Sequence, residues 1–493
     1  MLTDDLRNLD PRDTSYASRF VERLLAAVET ARASDAHLQP TPNGLAVSWR
    51  LDGVLQPVGE FPAGKTTDVV ARLKVLAELL TYRVDLPQEG RIRRPGQGAD
   101  WRVSTFPTLH GERAVVRLVA SAAGPRRLSE LGLPAETDRA LRGLLAETAG
   151  ALLITGPAGS GKTTTAYACL RDIVGGRDAA RCAITLEDPI EAPLDGVVQS
   201  QLQPAAGFDL ATGLRSVLRQ DPEVILIGEI RDRMGAEGVF NAALTGHLVI
   251  ATFHAASAAG AISRLAEMDI EPYLLRSGLL AVLNQRLLRR LCDCAAPASP
   301  ESDTSATRTP AAIESQLIMP DTRAARSVTG ESNLVCARRP IGCGVCQRTG
   351  YRGRLLLAEL LLTSPTELGR AILSRDDAAR LEQLAQAAGL VPIAAQAAAA
   401  VRSGLTSEAE VLRTLGSSRY YPPSTASTPT ANRHTNNNTT NTTNNSNSSN
   451  STANSAANTD NSTGSVGEPG IGAAGIGVAL GDTDISPPLG DAG

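Results

Sequence analysis

The sequence predicts a multidomain α/β protein. A parallel-sheet core follows a small α+β domain and is succeeded by a cysteine-bearing insertion, a helical C-terminal region and a low-complexity tail. Three observations carry this. Between residues 151 and 252, apolar strand-like runs alternate with helical patterns, as in a parallel sheet. Upstream, short alternating runs flank an Asp52-Gly53 turn, as antiparallel hairpins do. Beyond Ser417 the composition shifts to Asn, Ser, Thr and Gly, with too little apolar content to build a core.

Taken in order, residues 1–15 are polar and expected to be loose. The run RFVERLLAAVETA places Phe20, Leu24, Leu25 and Val28 on one helical face and ends at Ala33-Ser34-Asp35. Hairpin strands follow in LAVSWRLDGVLQPV, then a second amphipathic helix over about 67–80 and strand-like runs at Trp101–Pro107 and Glu112–Val119. These make residues 16–120 one α+β domain, and the Ala/Ser/Gly/Pro stretch within 121–132 a linker. Residues 133–291 hold the core, with strands expected at Ala151–Thr155, Ala183–Leu186, Val224–Ile227 and Leu248–Thr252. Residues 292–350 form the cysteine module, 351–416 read as helices, and 417–493 as a disordered tail.

Charge placement excludes several functions. The net charge is −4, and residues 421–493 carry five acids and one base, so the preceding body is neutral. With no polybasic block, direct nucleic-acid binding is not expected. No apolar run reaches the roughly 20 residues of a membrane span, and Met1-Leu2-Thr3-Asp4-Asp5 does not start a signal peptide, so a cytoplasmic protein is expected. Seven cysteines in a chain of 493 residues suggest metal ligation rather than a disulfide scaffold. Of 48 basic residues only Lys65, Lys74 and Lys162 are lysines, which makes each lysine's setting informative.

The chemistry begins at Gly156-Pro157-Ala158-Gly159-Ser160-Gly161-Lys162-Thr163, a complete phosphate-binding loop, with Thr164 opening the helix after it. Its glycines let backbone N–H groups turn toward phosphates, and the helix N-terminus adds positive potential. Lys162 is expected to reach the β- and γ-phosphates of ATP, and the Thr163 hydroxyl to ligate Mg²⁺. Hydrolysis needs carboxylates nearby. The run Val224–Ile227 delivers Glu229 to the carboxyl end of its strand, and Ala183–Leu186 does the same for Glu187. One of the two should act as general base on water and the other hold Mg²⁺ or its waters. His254, after Leu248–Thr252, is either a phosphate or water ligand or a packed core histidine.

These segments together resemble the secretion ATPases of type II secretion systems and type IV pilus assembly. Ile184-Thr-Leu-Glu-Asp-Pro-Ile-Glu191 is similar to that family's Asp box, Leu214–Asp232 to its Walker B region, and Thr245–His254 to its His box. The resemblance continues through Ala33–Pro40, Arg50–Val54, Pro87–Arg91 and Arg102–Thr108 upstream, and Thr349–Arg354 and Gly404–Ser407 downstream, about residues 16–416 in all. It implies a RecA-like core behind a PAS-like N-terminal domain, and a homo-hexameric Mg²⁺-dependent ATPase. Such a motor works with inner-membrane platform proteins while peripheral to that membrane. It also implies Glu229 as the water-activating acid, Glu187 as the acid near the metal, and His254 near the γ-phosphate. Arg91, Arg102 and Arg113 are the candidate arginines that reach the phosphates when the domains close, against the plain alternative of surface arginines.

Two departures stand out. The family's paired C-x-x-C module appears here as Cys292-Asp-Cys294 and Cys343-Gly-Val-Cys346, so the first pair is one residue short. Four thiolates suit tetrahedral Zn²⁺, with Cys336 as a possible substitute ligand, and a relic loop with free thiols is the alternative. Only about 15 residues precede the expected N-terminal domain, so the extra docking domain of many such ATPases is not expected here. That shortness keeps pilus retraction open as an alternative to assembly. A non-hydrolysing nucleotide-binding scaffold is the alternative from another class.

Overall fold

The computed structural model describes residues 4–62, 66–93, 100–118, 127–176, 181–297, 338–363 and 366–420, which fall within one unit spanning Met1–Ala426. The chain enters through α1 (Asp4–Arg7). Leu6 and, beyond it, Leu9 are buried in the N-terminal core, so residues 4–15 are not loose as expected. Two apolar side chains suffice to anchor a polar segment whose other residues face water. Helix α2 (Tyr16–Ala31) buries the expected face of Phe20, Leu24, Leu25 and Val28.

Six antiparallel strands follow: β1 (Asp35–Thr41), β2 (Gly44–Leu51), β3 (Val54–Pro62), β4 (Gln88–Ile92), β5 (Trp101–Thr108) and β6 (Gly111–Leu118). Their order is β3-β2-β1-β6-β5-β4, and α2 contacts α3 (Thr66–Leu76). Between β2 and β3, Asp52 and Gly53 both take positive φ, 46° and 86°, as a two-residue hairpin turn requires. Lys74 on α3 is fully buried, bonding both Glu112 carboxylate oxygens at 2.9 Å and the Arg83 carbonyl at 2.6 Å. A buried ammonium persists only with such partners.

The core sheet has seven strands: β7 (Gly150–Thr155), β8 (Ala183–Glu187), β9 (Val198–Gln201), β10 (Val224–Ile227), β11 (Leu248–Phe253), β12 (Leu279–Leu291) and β15 (Tyr351–Leu362). The order is β15-β12-β7-β11-β10-β8-β9, all parallel except β15, which runs antiparallel to β12. Every residue of β7, β8, β10 and β11 is buried. At about 1.5–3 kcal/mol for each fully buried branched side chain, the Val-Ile-Leu-Ile of β10 pins the strand that carries Glu229. Helices α4 (Ala135–Leu145), α5 (Lys162–Val174), α6 (Leu210–Val217), α7 (Arg233–Leu244), α8 (Ala258–Glu267) and α9 (Pro272–Gly278) complete the expected alternation.

Two further expectations need correction. Residues 351–416 are not all helical: Tyr351–Leu362 is a strand of the core sheet. Its Leu-rich run satisfies a helical pattern as readily as a buried strand, and pairing with β12 decides the matter. The cysteine module, which includes the two-residue strands β13 (Ala296–Pro297) and β14 (Arg338–Arg339), is therefore inserted between two neighbouring strands of the core. Helices α10 (Thr366–Leu373), α11 (Ala378–Ala387), α12 (Ile393–Arg402) and α13 (Glu408–Leu415) follow. The tail also begins later than expected. Ser417–Tyr420 is a helical turn, α14, and Tyr420 packs in a cluster with Leu288, Leu357 and Val411. The Ala120–Pro125 linker, Lys65, Cys336 and the residues beyond Tyr420 lie outside the described residues. Among the described residues, no helix is long and apolar enough to cross a membrane.

Candidate active site

Parallel pairing brings the candidate residues together. Thr155 of β7 pairs with Phe253 of β11, and Ile227 of β10 pairs with both Ala251 of β11 and Leu186 of β8. Four adjacent strands therefore end at one edge, where ligands bind in open α/β sheets. The phosphate-binding loop leaves β7, His254 follows β11, Glu229 follows β10, and Glu187 ends β8. A cleft of about 560 Å³ opens there, lined by Lys162, Thr163, Thr164, Glu187, Glu229 and His254 among others.

The loop is shaped by its glycines. Gly156, Gly159 and Gly161 have φ of 144°, 75° and 90°. A Cβ on Gly156 would come within 2.5 Å of Ser160 Oγ and 2.6 Å of the Gln285 carbonyl, so the turn closes only without a side chain. Pro157 and Ala158 carry it over to Gly159, and the Pro157 carbonyl accepts from the Ser160 N–H at 3.3 Å. Gly161 then caps α5. Lys162 donates to the carbonyls of Gly156 and Pro157, both at 3.1 Å. Its pKa lies below the usual lysine value because burial outweighs the attraction of Glu229, with Arg286 adding repulsion.

Glu229 and His254 form a pair: His254 Nε2 stands 3.0 Å from Glu229 Oε1. A carboxylate only accepts, so the imidazole carries its proton on Nε2 in this contact. With its side chain 40% exposed, His254 is not a packed core histidine. Arg231 reaches the other Glu229 oxygen at 3.3 Å and Asp188 at 2.9 Å.

Of the three acids in the Glu187–Glu191 run, Asp188 pairs with Arg231, and Glu187 and Glu191 are placed differently. Glu187 borders the cleft but is 2% exposed, and its oxygens accept from Tyr167, from Thr185 at 2.6 Å and from Gln199 at 3.1 Å. Glu191 instead accepts from the Thr163 hydroxyl at 3.2 Å. Burial raises its pKa, the Thr163 bond works against that shift, and Glu187 adds to it. The acid that meets the Thr163 hydroxyl is thus Glu191, which residue-type reasoning passed over. Its sequence cue was its place at the end of the Ile184–Glu191 segment, four residues beyond Glu187.

The three N-terminal arginines do not line this cleft. Arg91 and Arg102 face each other across β4 and β5, and Arg102 pairs with Glu89. Arg113 stands 3.0 Å from His37 Nδ1. The arginines that do line the cleft are Arg231 and Arg354, the latter from β15, and neither was a candidate from sequence.

The second cluster is made of thiols. The Sγ atoms of Cys292, Cys294, Cys343 and Cys346 all lie within 4.8 Å of one another, with close pairs at 3.9, 3.9 and 3.7 Å. A tetrahedron with Zn–S bonds of about 2.3 Å requires sulfur separations of about 3.8 Å, so the donor set fits. The short C-x-C spacing is no obstacle. Cys292 follows the end of β12, and a turn closed by the Ala295 N–H on the Cys292 carbonyl at 2.9 Å brings Cys294 round. Burial opposes ionisation of Cys346, yet N–H bonds from Cys343 (3.1 Å) and Gly350 (3.3 Å) prevail and bring its pKa down to about 6. Next to this cluster, Gln347 donates to the Ala31 carbonyl at 3.0 Å, and the Gly353 N–H donates to Asp52 at 2.9 Å, joining module and core to the N-terminal domain.

The sequence model of the family described as type II/IV secretion system protein matches residues 10–413. The chain is 36% identical over 405 residues to the type IV pilus assembly ATPase PilB of Thermus thermophilus, covering 81% of this chain and 43% of that protein. It is 40% identical over 363 residues to the type II secretion system protein E of Pseudomonas aeruginosa, covering 73% and 68% respectively. The chain thus spans less than half of the first relative and about two thirds of the second. In fold it is similar to the ATPase DotB of Legionella pneumophila, with a TM-score of 0.57 and 21% identity over 82% of this chain and 98% of that one.

Proposed function

We propose, for a chain that belongs to the type II/IV secretion system protein family, a Mg²⁺-dependent ATP hydrolase that powers assembly of a pilus or of the pilus-like fibre used in protein secretion. The observation that carries this reading is the convergence of the phosphate loop, the His254–Glu229 pair and the Glu191–Thr163 contact at the ends of four adjacent strands. Loop N–H groups and Lys162 bind the phosphates of ATP. Thr163 and Glu191 would hold Mg²⁺, whose charge neutralises the β- and γ-phosphate oxygens. Glu229 accepts the proton of the attacking water as the water oxygen bonds to the γ-phosphorus, the bond from that phosphorus to the bridging oxygen breaks, and ADP leaves with the electron pair. His254 holds that carboxylate through Oε1, and Arg231 holds it through Oε2.

The finer parts of the reading follow from family membership. The chain acts as a homo-hexamer at the cytoplasmic face of the inner membrane, docked to platform proteins. Arg91, Arg102 and Arg113 reach the phosphates only when the N-terminal domain moves toward the cleft. Cys292, Cys294, Cys343 and Cys346 hold a structural Zn²⁺, for which their spacing is suited. Assembly is favoured over retraction because the relatives at 36% and 40% identity carry the names of an assembly ATPase and a secretion protein. A scaffold role is disfavoured, since binding alone needs no acid paired to His254.

The test is phosphate release by the purified protein with ATP. Release that requires Mg²⁺ and is lost in Lys162→Ala supports the reading. Equal release with and without Mg²⁺, or none in the hexameric wild type on its membrane partner, would sink it.

A further inference from the structure

Tyr167 is a buried group beside the cleft that the mechanism above leaves without a role. It lies on α5 four residues after Thr163, so both side chains share one face of the helix. Only 5% of it is exposed. Its hydroxyl donates to Glu187 Oε2 and accepts the backbone N–H of Glu191 at 3.3 Å. Burial, and then the neighbouring Glu187 charge, push its ionisation far above the ordinary range, so the phenol stays a donor. One helix face therefore grips the acidic run twice: Thr163 holds the Glu191 side chain, and Tyr167 holds the Glu191 backbone together with the Glu187 side chain.

We propose that Tyr167 is a positioning residue that decides which of the two acids serves the metal: its hydroxyl locks Glu187 into the strand end and fixes the loop so that Glu191 faces Thr163. Thr185 and Gln199 complete the lock on Glu187 from β8 and the segment beside it. The proposal rests on the Mg²⁺-ATPase reading and adds a division of labour between Glu187 and Glu191 that no motif states.

The test is Tyr167→Phe, which keeps the ring and its packing. Three quantities are read: the Mg²⁺ concentration that half-saturates binding of a fluorescent ADP analogue, the same binding in excess chelator, and phosphate release at saturating ATP. The expected result is a rise in the Mg²⁺ midpoint of about tenfold, as for other outer groups that orient a metal ligand, with metal-free binding unchanged. Glu191→Gln should raise the midpoint at least as far, and Glu187→Gln should raise it less. A packing role alone would lower the melting temperature and leave the midpoint in place, which would overturn the proposal. If the buried Glu187 charge makes Tyr167→Phe unstable, Tyr167→Phe combined with Glu187→Gln removes that charge and carries the same expectation. A wild type that hydrolyses ATP with Mg²⁺ beside an unaltered Tyr167→Phe contradicts only this inference. A wild type without Mg²⁺-dependent hydrolysis contradicts the reading beneath it.

Discussion

The phosphate loop and the cysteine knuckle are both tight turns at the edge of the core sheet, but they are held in shape by different means. In the phosphate loop every positive φ falls on a glycine: Gly156, Gly159 and Gly161. In the knuckle, positive φ falls on Gly342 (101°) and Gly350 (77°), but also on Gln347 (51°) and Arg348 (62°), immediately after Cys346. A left-handed residue with a Cβ costs roughly 1–2 kcal/mol. The first loop therefore stands preformed for its ligand. The second stores strain that its surroundings must offset, through the thiol cluster on one side and the Gln347–Ala31 bond on the other. Glycines mark positive φ in both loops, but the knuckle's Gln347 and Arg348 carry it without that mark.

The contrast can be broken at its strongest point first. Gly156→Ala should abolish detectable nucleotide binding, because the added carbon falls on Ser160 Oγ and on a main-chain carbonyl of β12. Binding by this variant within tenfold of wild type, in an equilibrium titration, would show that the loop is not glycine-limited. Next comes the knuckle. Cys343→Ser, or removal of bound metal by a chelator, should lower the melting temperature by several degrees or more, since structural zinc contributes folding energy directly. Metal-free nucleotide binding should stay within about twofold, because the Cys343 thiol is absent from the cleft lining. Metal content and calorimetry on the same sample check both parts.

Smaller effects sharpen the same comparison. Gln347→Ala keeps the left-handed strain and loses the bond to the Ala31 carbonyl, so it should cost about 0.5–1.5 kcal/mol. Gln347→Gly loses that bond but relieves the strain, and should come out nearly neutral in a denaturant titration. If the glycine variant is the less stable of the two, the strain account of the knuckle is wrong.

How much of this was legible in the sequence follows the same division. That Lys162, Thr163, Glu229 and His254 meet at one cleft was readable because chemistry restricts both residue type and position relative to a strand end. Glu187 was readable as an acid at a strand end, but its orientation was not. Side chains alternate along β8, and the donors Tyr167, Thr185 and Gln199 that turn it inward lie on three separate segments. Glu191 and Arg354 lie at the ends of the Ile184–Glu191 and Thr349–Arg354 segments but were missed, because their place in the cleft is set by the fold and not by residue type. The strand Tyr351–Leu362 was read as helix because a continuous apolar run has no period that separates the two, and its partner β12 lies some sixty residues upstream. Leu6, Leu9 and Tyr420 show the same limit at the ends of the folded body, where one or two apolar side chains in a polar run decide whether it packs.

The account depends most on the Glu229–His254 pair acting on water. Its most direct test is Glu229→Gln, an isosteric change that keeps the hydrogen-bonding contact with His254 and removes the base. Single-turnover phosphate release should fall by about 10²–10⁴-fold, the usual contribution of a general base, while Mg²⁺–nucleotide affinity stays within a few fold. Equal release rates in wild type and Glu229→Gln, at equal nucleotide occupancy, would contradict it.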